Sequence, residues 1–158
     1  MIEITEETKV IVFTNKEVAI HNLYKGIKTE LELNGYIFGE AKQKIKSPGK
    51  YGQEMEFEIK GFRAFDDFAK HELTISLKFE KLKAINSLFK GNGLILTDSR
   101  VILDYTKKWD KTKFTQWLFG NVMFPVLRYR FYKAKYLDPG LNMQLHMNTF
   151  IKEHLDLY

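Results

Sequence analysis

The first candidates for acid–base or metal chemistry are the four histidines, His21, His71, His146 and His154. Their spacing matches no metal-binding motif such as HExxH, and His146 and His154 are too far apart to share one helical turn. The chain has no cysteine, which excludes thiolate nucleophiles, disulfides and cysteine-ligated zinc. We therefore expect exposed or hydrogen-bonded histidines, and the sequence predicts no metal and no cofactor.

Three further polar stretches could do chemistry, and a plainer interpretation suits each of them. Asp66-Asp67 is a carboxylate pair, but adjacent acids are typical of turns. Gly91-Asn92-Gly93 could cradle a phosphate if a helix followed, whereas a strand pattern follows. Thr97-Asp98-Ser99-Arg100 could line a site, but the sequence supplies no evident base for Ser99. We therefore predict no catalytic residue, and an enzyme of unknown class is only the third hypothesis for the function.

Positive charge is concentrated between residues 106 and 136. Eight basic residues against Asp110 alone give this stretch a net charge of +7, so the rest of the chain, within a total of +5, carries −2. The candidate basic and aromatic surface consists of Lys107, Lys108, Lys111, Lys113, Arg128, Arg130, Phe131, Lys133 and Lys135. Such a surface suits a protein partner, a second copy of the chain, or an anionic membrane, where aromatic rings lie at headgroup depth.

Nucleic acid would be drawn to the same stretch, because basic groups contact phosphates and aromatic rings stack on bases. No helix-turn-helix, zinc-finger, RNP-type or GXXG signature is identifiable in the chain. The sequence therefore disfavours a nucleic-acid partner.

Length and composition indicate a single domain over residues 1–158. Hydrophobic residues at 44% and charged residues at 28% are near the globular average, which disfavours disorder and coiled coil. The first residues are acidic and lack the features of a signal peptide. No apolar stretch approaches the roughly 18 residues needed to cross a bilayer. We expect a cytoplasmic protein, with peripheral membrane contact through the basic stretch as the alternative.

Helical spacing predicts an N-terminal helix between Thr14 and Gly35. Thr14 and Glu17 fit a capping box at its start, and Asn34-Gly35 suits its end. The apolar residues at helical spacing are Ile20, Leu23, Tyr24, Ile27 and Leu31. A rival interpretation makes Asn34-Gly35 the turn of a hairpin, and we prefer the helix because its apolar series is longer.

The sequence also predicts a β-hairpin from Lys42 to Ile59, with its loop at residues 47–53, where Pro48, Gly49 and Gly52 favour a loop. The expected pairs are Lys46 with Glu54, Lys44 with Glu56, Lys42 with Glu58, Ile45 with Met55, and Ala41 with Ile59. Opposite charges then share one face and apolar groups the other, which a slip of one residue would destroy.

Further strands are predicted from Leu73 to Phe79 and from Leu94 to Tyr105. We expect Asp66-Asp67 in the turn before the first of them. Gly91-Asn92-Gly93 should open the second, which a turn at Asp98-Ser99 interrupts. The middle of the chain is thus predicted to be an antiparallel sheet of four or more strands with one polar face.

Two C-terminal helices follow in the predicted order. Asp110 or Thr112 caps the first, which runs to about Tyr136 with a kink at Pro125. Asp138-Pro139 begins the second. Apolar residues surround the first helix on all sides, so it must be covered on all sides. Either it is a core helix between the sheet and the last helix, or one face is left for a partner, a ligand or a membrane.

This order of elements resembles the helix-grip arrangement of START and Bet v1-like proteins. The resemblance is carried by the Thr14 to Gly35 helix, the Lys42 to Ile59 hairpin and the Phe114 to Tyr136 helix, without a diagnostic motif. It implies an α+β fold with the helices on one face of the sheet and an apolar cavity between a curved sheet and the C-terminal helix. The candidate lining of that cavity is Phe57, Ile75, Leu77, Trp117 and Phe124.

Three functions remain open on the sequence alone. The first is a small binding protein that holds an apolar or lipid-like ligand between the sheet and the C-terminal helix. The second is an interaction module that docks on a partner chain or an anionic membrane through residues 106–136. The third is the enzyme of unknown class.

Overall fold

A computed structural model describes residues 1–39, 42–49, 52–86 and 88–156 of the chain. The strands are β1 (Ile2–Thr5), β2 (Lys9–Val18), β3 (Ile37–Phe38), β4 (Lys42–Gly49), β5 (Gly52–Ala64), β6 (Ala69–Ile85) and β7 (Leu88–Leu103). The helices are α1 (Ile20–Leu33), α2 (Lys113–Leu118), α3 (Phe124–Leu127) and α4 (Asp138–His154), with π-helical stretches at Phe119–Met123 and Arg128–Leu137.

The described strands form one antiparallel sheet around β5, β6 and β7. β6 pairs with β7 on one side and with β5 on the other. The outer side of β7 pairs with β1 and β2, and the outer side of β5 pairs with β3 and β4. The predicted α+β class with an antiparallel sheet of four or more strands is confirmed.

The predicted hairpin register is confirmed in β4 and β5. The observed pairs are Lys42 with Glu58, Lys44 with Glu56, Lys46 with Glu54, and Ile45 with Met55. The predicted pair of Ala41 with Ile59 lies outside the described residues. Charge and apolar patterning together were enough to set this register, because they exclude a slip by one residue.

One face of the sheet is apolar and lies under the helices. On β6, the four residues at alternating positions from Leu73 to Phe79 are all buried, whereas Thr74, Ser76 and Lys78 lie between them and reach solvent. The helical residues of the same core are Ile20, Leu23, Ile27 and Leu31 of α1, with Met143, Met147 and Ile151 of α4. Helices α1 and α4 therefore cover the middle of the sheet by burying their apolar stripes.

A second cluster lies at the end of the sheet where β6 begins and β7 ends. Its buried residues are Ala69, Val101, Leu103, Phe119, Tyr132, Tyr136 and Leu137. The helical stretch from Phe119 to Leu137 thus packs on the same apolar face as α1 and α4, beyond the main core.

The predicted capping box at Thr14 and Glu17 is wrong, although the helix that follows it is present. Both residues belong to β2, which pairs with β7 as far as Val18 and Phe89. Helix α1 begins at Ile20, and Ala19 before it supplies no side-chain cap. Cross-strand pairing outweighs the local cap signal because it engages the backbone of several residues at once.

Two predicted interruptions of the last strand are also wrong. Asp98 and Ser99 pair with Thr74 and Leu73 in the middle of β7, and Gly91-Asn92-Gly93 lies inside the strand instead of before it. These residues favour turns but lie in a strand, because β7 pairs with other strands on both sides along most of its length.

The helical C-terminus starts as predicted and then continues further. The side chain of Thr112 accepts a hydrogen bond from the Thr115 amide at 3.1 Å and caps α2. Helix α4 begins at Asp138 as predicted, but Asp138 is not its cap and no break precedes it, since Leu137 and Asp138 both have right-handed helical backbone angles. The amide of the residue before each of the two helical prolines donates to the carbonyl five residues back: Phe124 to Phe119, and Asp138 to Lys133. These wider turns accommodate Pro125 and Pro139 without ending the helix.

Candidate functional site

An apolar cleft of about 280 Å³ opens where α1 begins, beside the β4–β5 hairpin. Its apolar lining comes from four elements: Ile20 and Tyr24 of α1, Ile45 of β4, Met55 and Phe57 of β5, and Phe89 of β7. His21 and Gln43 add polar groups to the lining. The cleft is therefore a half-enclosed apolar space with two polar side chains available to a ligand.

Ile45 is the most unusual residue of the cleft. It lies opposite Met55 in the hairpin register, on the same apolar face that forms the core. Met55 is only 8% exposed, whereas Ile45 is 60% exposed. The helices thus cover Met55 of β5 and leave Ile45 of β4 open to solvent.

Aromatic rings support the wall of the cleft. The ring of Tyr24 lies 5.6 Å from that of Phe57 and 6.2 Å from that of Phe38. Phe57 in turn contacts the buried Phe79, with ring centroids 6.4 Å apart. Tilted and edge-on pairs of this kind stabilise by about 0.5–1.5 kcal/mol beyond their buried area. The wall is therefore tied to the core.

The five predicted lining residues lie in three different places. Phe57 lines the cleft, and Ile75 and Leu77 are fully buried in the core beneath it. Phe124 packs in the second cluster, at the other end of the sheet, and Trp117 is 55% exposed on α2. The structure thus brings Phe57, Ile75 and Leu77 together and separates them from the two residues of the C-terminal stretch.

Sequence reasoning missed the other lining residues of the cleft. Ile45 and Met55 were visible as an apolar pair in the hairpin, and Ile20 and Tyr24 as part of the helical stripe. Neither pattern says which end of α1 lies over which strand, so their proximity could be learned only from the tertiary structure.

The basic and aromatic residues predicted as a surface are all exposed. This holds for Lys107, Lys108, Lys111, Lys113, Arg128, Arg130, Phe131, Lys133 and Lys135. Lys135 lies with its ammonium 5.1 Å from the centre of the Phe131 ring and 3.5 Å from Asp66. Within the described residues, this stretch joins positive charge to uncovered aromatic surface.

Asp66 links the turn before β6 to the helical C-terminus. Its carboxylate accepts hydrogen bonds from the amides of Phe68 and Ala69 at 2.8 and 2.9 Å, and from the Tyr136 hydroxyl at 2.6 Å. Burial alone would raise the pKa of Asp66, but these hydrogen bonds stabilise the charged form more and hold its pKa below the ordinary value. The predicted position of Asp66 in a turn is confirmed. Asp66 also anchors the helical C-terminus to this turn through Tyr136.

A buried hydroxyl–imidazole chain connects three parts of the fold. Nδ1 of His71 lies 2.5 Å from the Tyr36 hydroxyl, and Nε2 lies 2.6 Å from the Ser99 hydroxyl. Burial lowers the pKa of His71 to about 4, a change that the nearby Glu72 opposes and Arg63 assists. The Ser99 hydroxyl therefore has a histidine beside it, which the sequence did not indicate. His71 and Ser99 are both fully buried, so the chain of groups joins β6, β7 and the segment before β3 from inside.

The described part of the chain offers neither a metal cluster nor a membrane-spanning helix. Among the described residues, no three histidines or carboxylates lie close enough together to hold a metal ion. None of the described helices combines the length and the hydropathy that crossing a bilayer requires.

Comparison with protein-family models, with curated proteins and with solved structures finds no match for this chain. Its function must therefore be argued from its own residues.

Proposed function

We propose that the protein is a small binding protein that holds an apolar ligand in the cleft between α1 and the β4–β5 hairpin. The observation that supports it best is Ile45, which lies on the apolar face of the sheet and is 60% exposed. A ligand that covers this side chain gains about 25 cal/mol for each Å² of apolar surface removed from water. The cleft that we propose as the site lies at α1, whereas the sequence favoured a site beside the C-terminal helix.

The size and lining of the cleft define the class of ligand. At about 280 Å³ it lies just below the usual range for ligand pockets, roughly 300–1,000 Å³. Since one water takes about 30 Å³ in the liquid, the cleft fits a ligand of roughly ten non-hydrogen atoms. The aromatic wall suits an aliphatic chain or a single ring. His21 and Gln43 suit one polar group at the end of the ligand.

Binding of an apolar probe tests this proposal. The dye ANS is larger than the cleft, so one of its rings enters and the rest extends through the open side, and we expect ANS and 1-decanol to compete for one site on the folded chain. The substitution Ile45→Glu should weaken ANS binding by about tenfold or more, because it places a charge in an apolar lining. Titration followed by fluorescence measures the affinity, and native mass spectrometry gives the stoichiometry.

Ile37→Glu is the matched control. Ile37 is 74% exposed on β3, next to Phe38, whose ring contacts Tyr24, so Ile37 points to the opposite face of the sheet. This variant should bind ANS as the native chain does. Absence of competition between ANS and 1-decanol, or equal weakening by the two substitutions, would rule out the cleft as the site.

A further inference from the structure

Among the residues whose side chains the structure describes, five large apolar ones are exposed along the first part of the helical C-terminus. They are Phe114, Trp117, Val122, Val126 and Phe131, and we call them the docking face. Each is at least 41% exposed, and Phe114 and Val126 exceed 60%. The rings of Phe114 and Trp117 stack with their centroids 6.5 Å apart. A stacked aromatic pair in water is an unusual surface for a folded chain to leave open.

The spacing between the residues of the docking face depends on whether the chain is α-helical or π-helical there. Its residues are separated by steps of three, five, four and five. The two steps of five, from Trp117 to Val122 and from Val126 to Phe131, cross the π-helical stretches. Hydrogen bonds in a π-helix connect residues five apart, so a step of five is close to one turn there. Phe119 lies within this series and Tyr132 and Tyr136 follow it, and all three are buried in the second cluster.

Basic residues lie on both sides of the docking face. Four exposed lysines precede it in the chain: Lys107, Lys108, Lys111 and Lys113. Arg128, Arg130, Lys133 and Lys135 lie at its other end and are exposed as well. Asp110 is the one acid in residues 106–136, so this stretch has a net charge of +7. The docking face therefore has basic residues at both of its ends.

We propose that the docking face lies in the interfacial region of an anionic bilayer, with the flanking lysines and arginines on lipid phosphates and carboxylates. Charge selects this partner, because a negatively charged leaflet attracts clustered lysine and arginine within a Debye length of its surface. The apolar side chains select it too, since Trp and Phe are favoured at headgroup depth and an in-plane helix buries one apolar face there. An acidic protein would match the charge, but it would not need an apolar strip of this length with positive charge at both ends. This proposal is independent of the ligand cleft.

Vesicle co-sedimentation of the full chain tests the proposal. We expect strong binding to vesicles of phosphatidylcholine with phosphatidylserine, weak binding to phosphatidylcholine alone, and a loss of binding as salt is raised, because salt screens the attraction. The double substitution Phe114→Ser with Trp117→Ser should lower the partition coefficient by about tenfold or more. Leu33→Ser with Ile37→Ser removes two apolar side chains elsewhere that are more exposed than Phe114 and Trp117, and should leave the partition coefficient unchanged.

A second pair of variants tests the charge. Lys111→Glu with Lys113→Glu should lower binding to anionic vesicles by about tenfold or more. Lys81→Glu with Lys83→Glu makes the same change of charge near the β6–β7 connection, far from the docking face, and should lower it less than about twofold. All four lysines are exposed, so folding should be unaffected, which circular dichroism checks.

Three results would overturn the proposal. The first is equal binding of the native chain to neutral and anionic vesicles, or none to either. The second is an equal loss of binding in the two lysine variants. The third is a dimer in light scattering that Phe114→Ser with Trp117→Ser dissociates without any vesicle binding by the native chain, which would make the docking face an interface between two copies.

Discussion

His71 is the clearest case of a single residue whose behaviour depends on its surroundings. Both ring nitrogens have a hydroxyl partner, and the neutral ring can accept at one nitrogen and donate at the other. Gly140 of α4 lies so close that a Cβ atom there would be 3.0 Å from the imidazole. His71 is fully buried, so a charged ring would lack solvation by water.

Folding stability should therefore fall in acid because of His71. The pKa of His71 is lowered from 6.5 to about 4 in the folded chain, so between these pH values the unfolded chain binds a proton that the folded chain does not. Stability then rises with pH through this window, is fully present above it, and loses roughly 3 kcal/mol by about pH 4. Urea denaturation across this range measures the free energy of unfolding.

Carboxylates also titrate in acid, so the contribution of His71 is taken as a difference between variants. His71→Gln should be less stable at neutral pH and should show a flatter dependence between pH 4 and 6.5. His154→Gln, at an exposed position, should keep the native slope. The same slope in His71→Gln and in the native chain would contradict the assignment.

At the scale of an element, β7 depends on a glycine where the sequence suggested a turn. Gly93 lies opposite both Phe13 of β2 and Phe79 of β6, and the rings of these two residues are 6.1 Å apart. A Cβ atom on Gly93 would come within 2.2 Å of the Phe13 ring. The glycine is there because a buried ring occupies the space of a side chain.

Gly93→Ala should therefore destabilise the fold by about 1–3 kcal/mol, since the Phe13 ring must leave its position in a packed core. Gly120→Ala is the matched control, because Gly120 is exposed in a helical stretch and a Cβ atom added there would have no atom within 4 Å. That change should be neutral or stabilising by up to about 1 kcal/mol. Thermal denaturation of the two variants distinguishes them, and equal stability would contradict the packing argument.

The whole molecule consists of one sheet with two unequal clusters on its apolar face. The main core contains fully buried residues of β5, β6, β7, α1 and α4, among them Ile59, Leu77, Ile95, Leu31 and Ile151. The second cluster holds the helical stretch from Phe119 to Leu137 through fewer buried residues. Helix α2 has no buried residue at all.

Native-state hydrogen exchange should follow this difference. Amides of β6 and β7 should be the most protected, because these strands are paired on both sides and lie under helices α1 and α4. Amides of α2 and of the following π-helical stretch should exchange by local opening at a lower free energy. Exchange measured on peptides by mass spectrometry compares the two regions, and equal protection would show that the molecule opens only as one unit.

Sequence patterning predicted those features that depend on neighbours along the chain or across one hairpin. The apolar stripe of α1, the Ile45–Met55 register and the alternation from Leu73 to Phe79 were all recoverable, because burial of one face requires a regular period. The Thr112 cap was recoverable for a similar reason, since its partner Thr115 is three residues away.

The candidate sites were less accessible to prediction. Residues of the cleft come from α1, β4, β5 and β7, and no local sequence pattern shows that these four elements lie close together. The exposed residues of the docking face could not be distinguished from their buried neighbours, for another reason. On an ideal α-helix its residues spread around the axis together with Phe119 and Phe124, whereas the π-helical turns separate an exposed series from a buried one.

By itself, the sequence determined the α+β class, the hairpin register, the alternating strands and the local excess of positive charge, because each of these follows from residue type at short range. The tertiary structure alone decided that Asp98 and Ser99 continue a strand, that His71 is sealed beside Ser99, and that Ile45 and Trp117 remain uncovered. The physical reason is that burial is a property of all the atoms packed around a side chain, and most of those atoms come from distant parts of the chain.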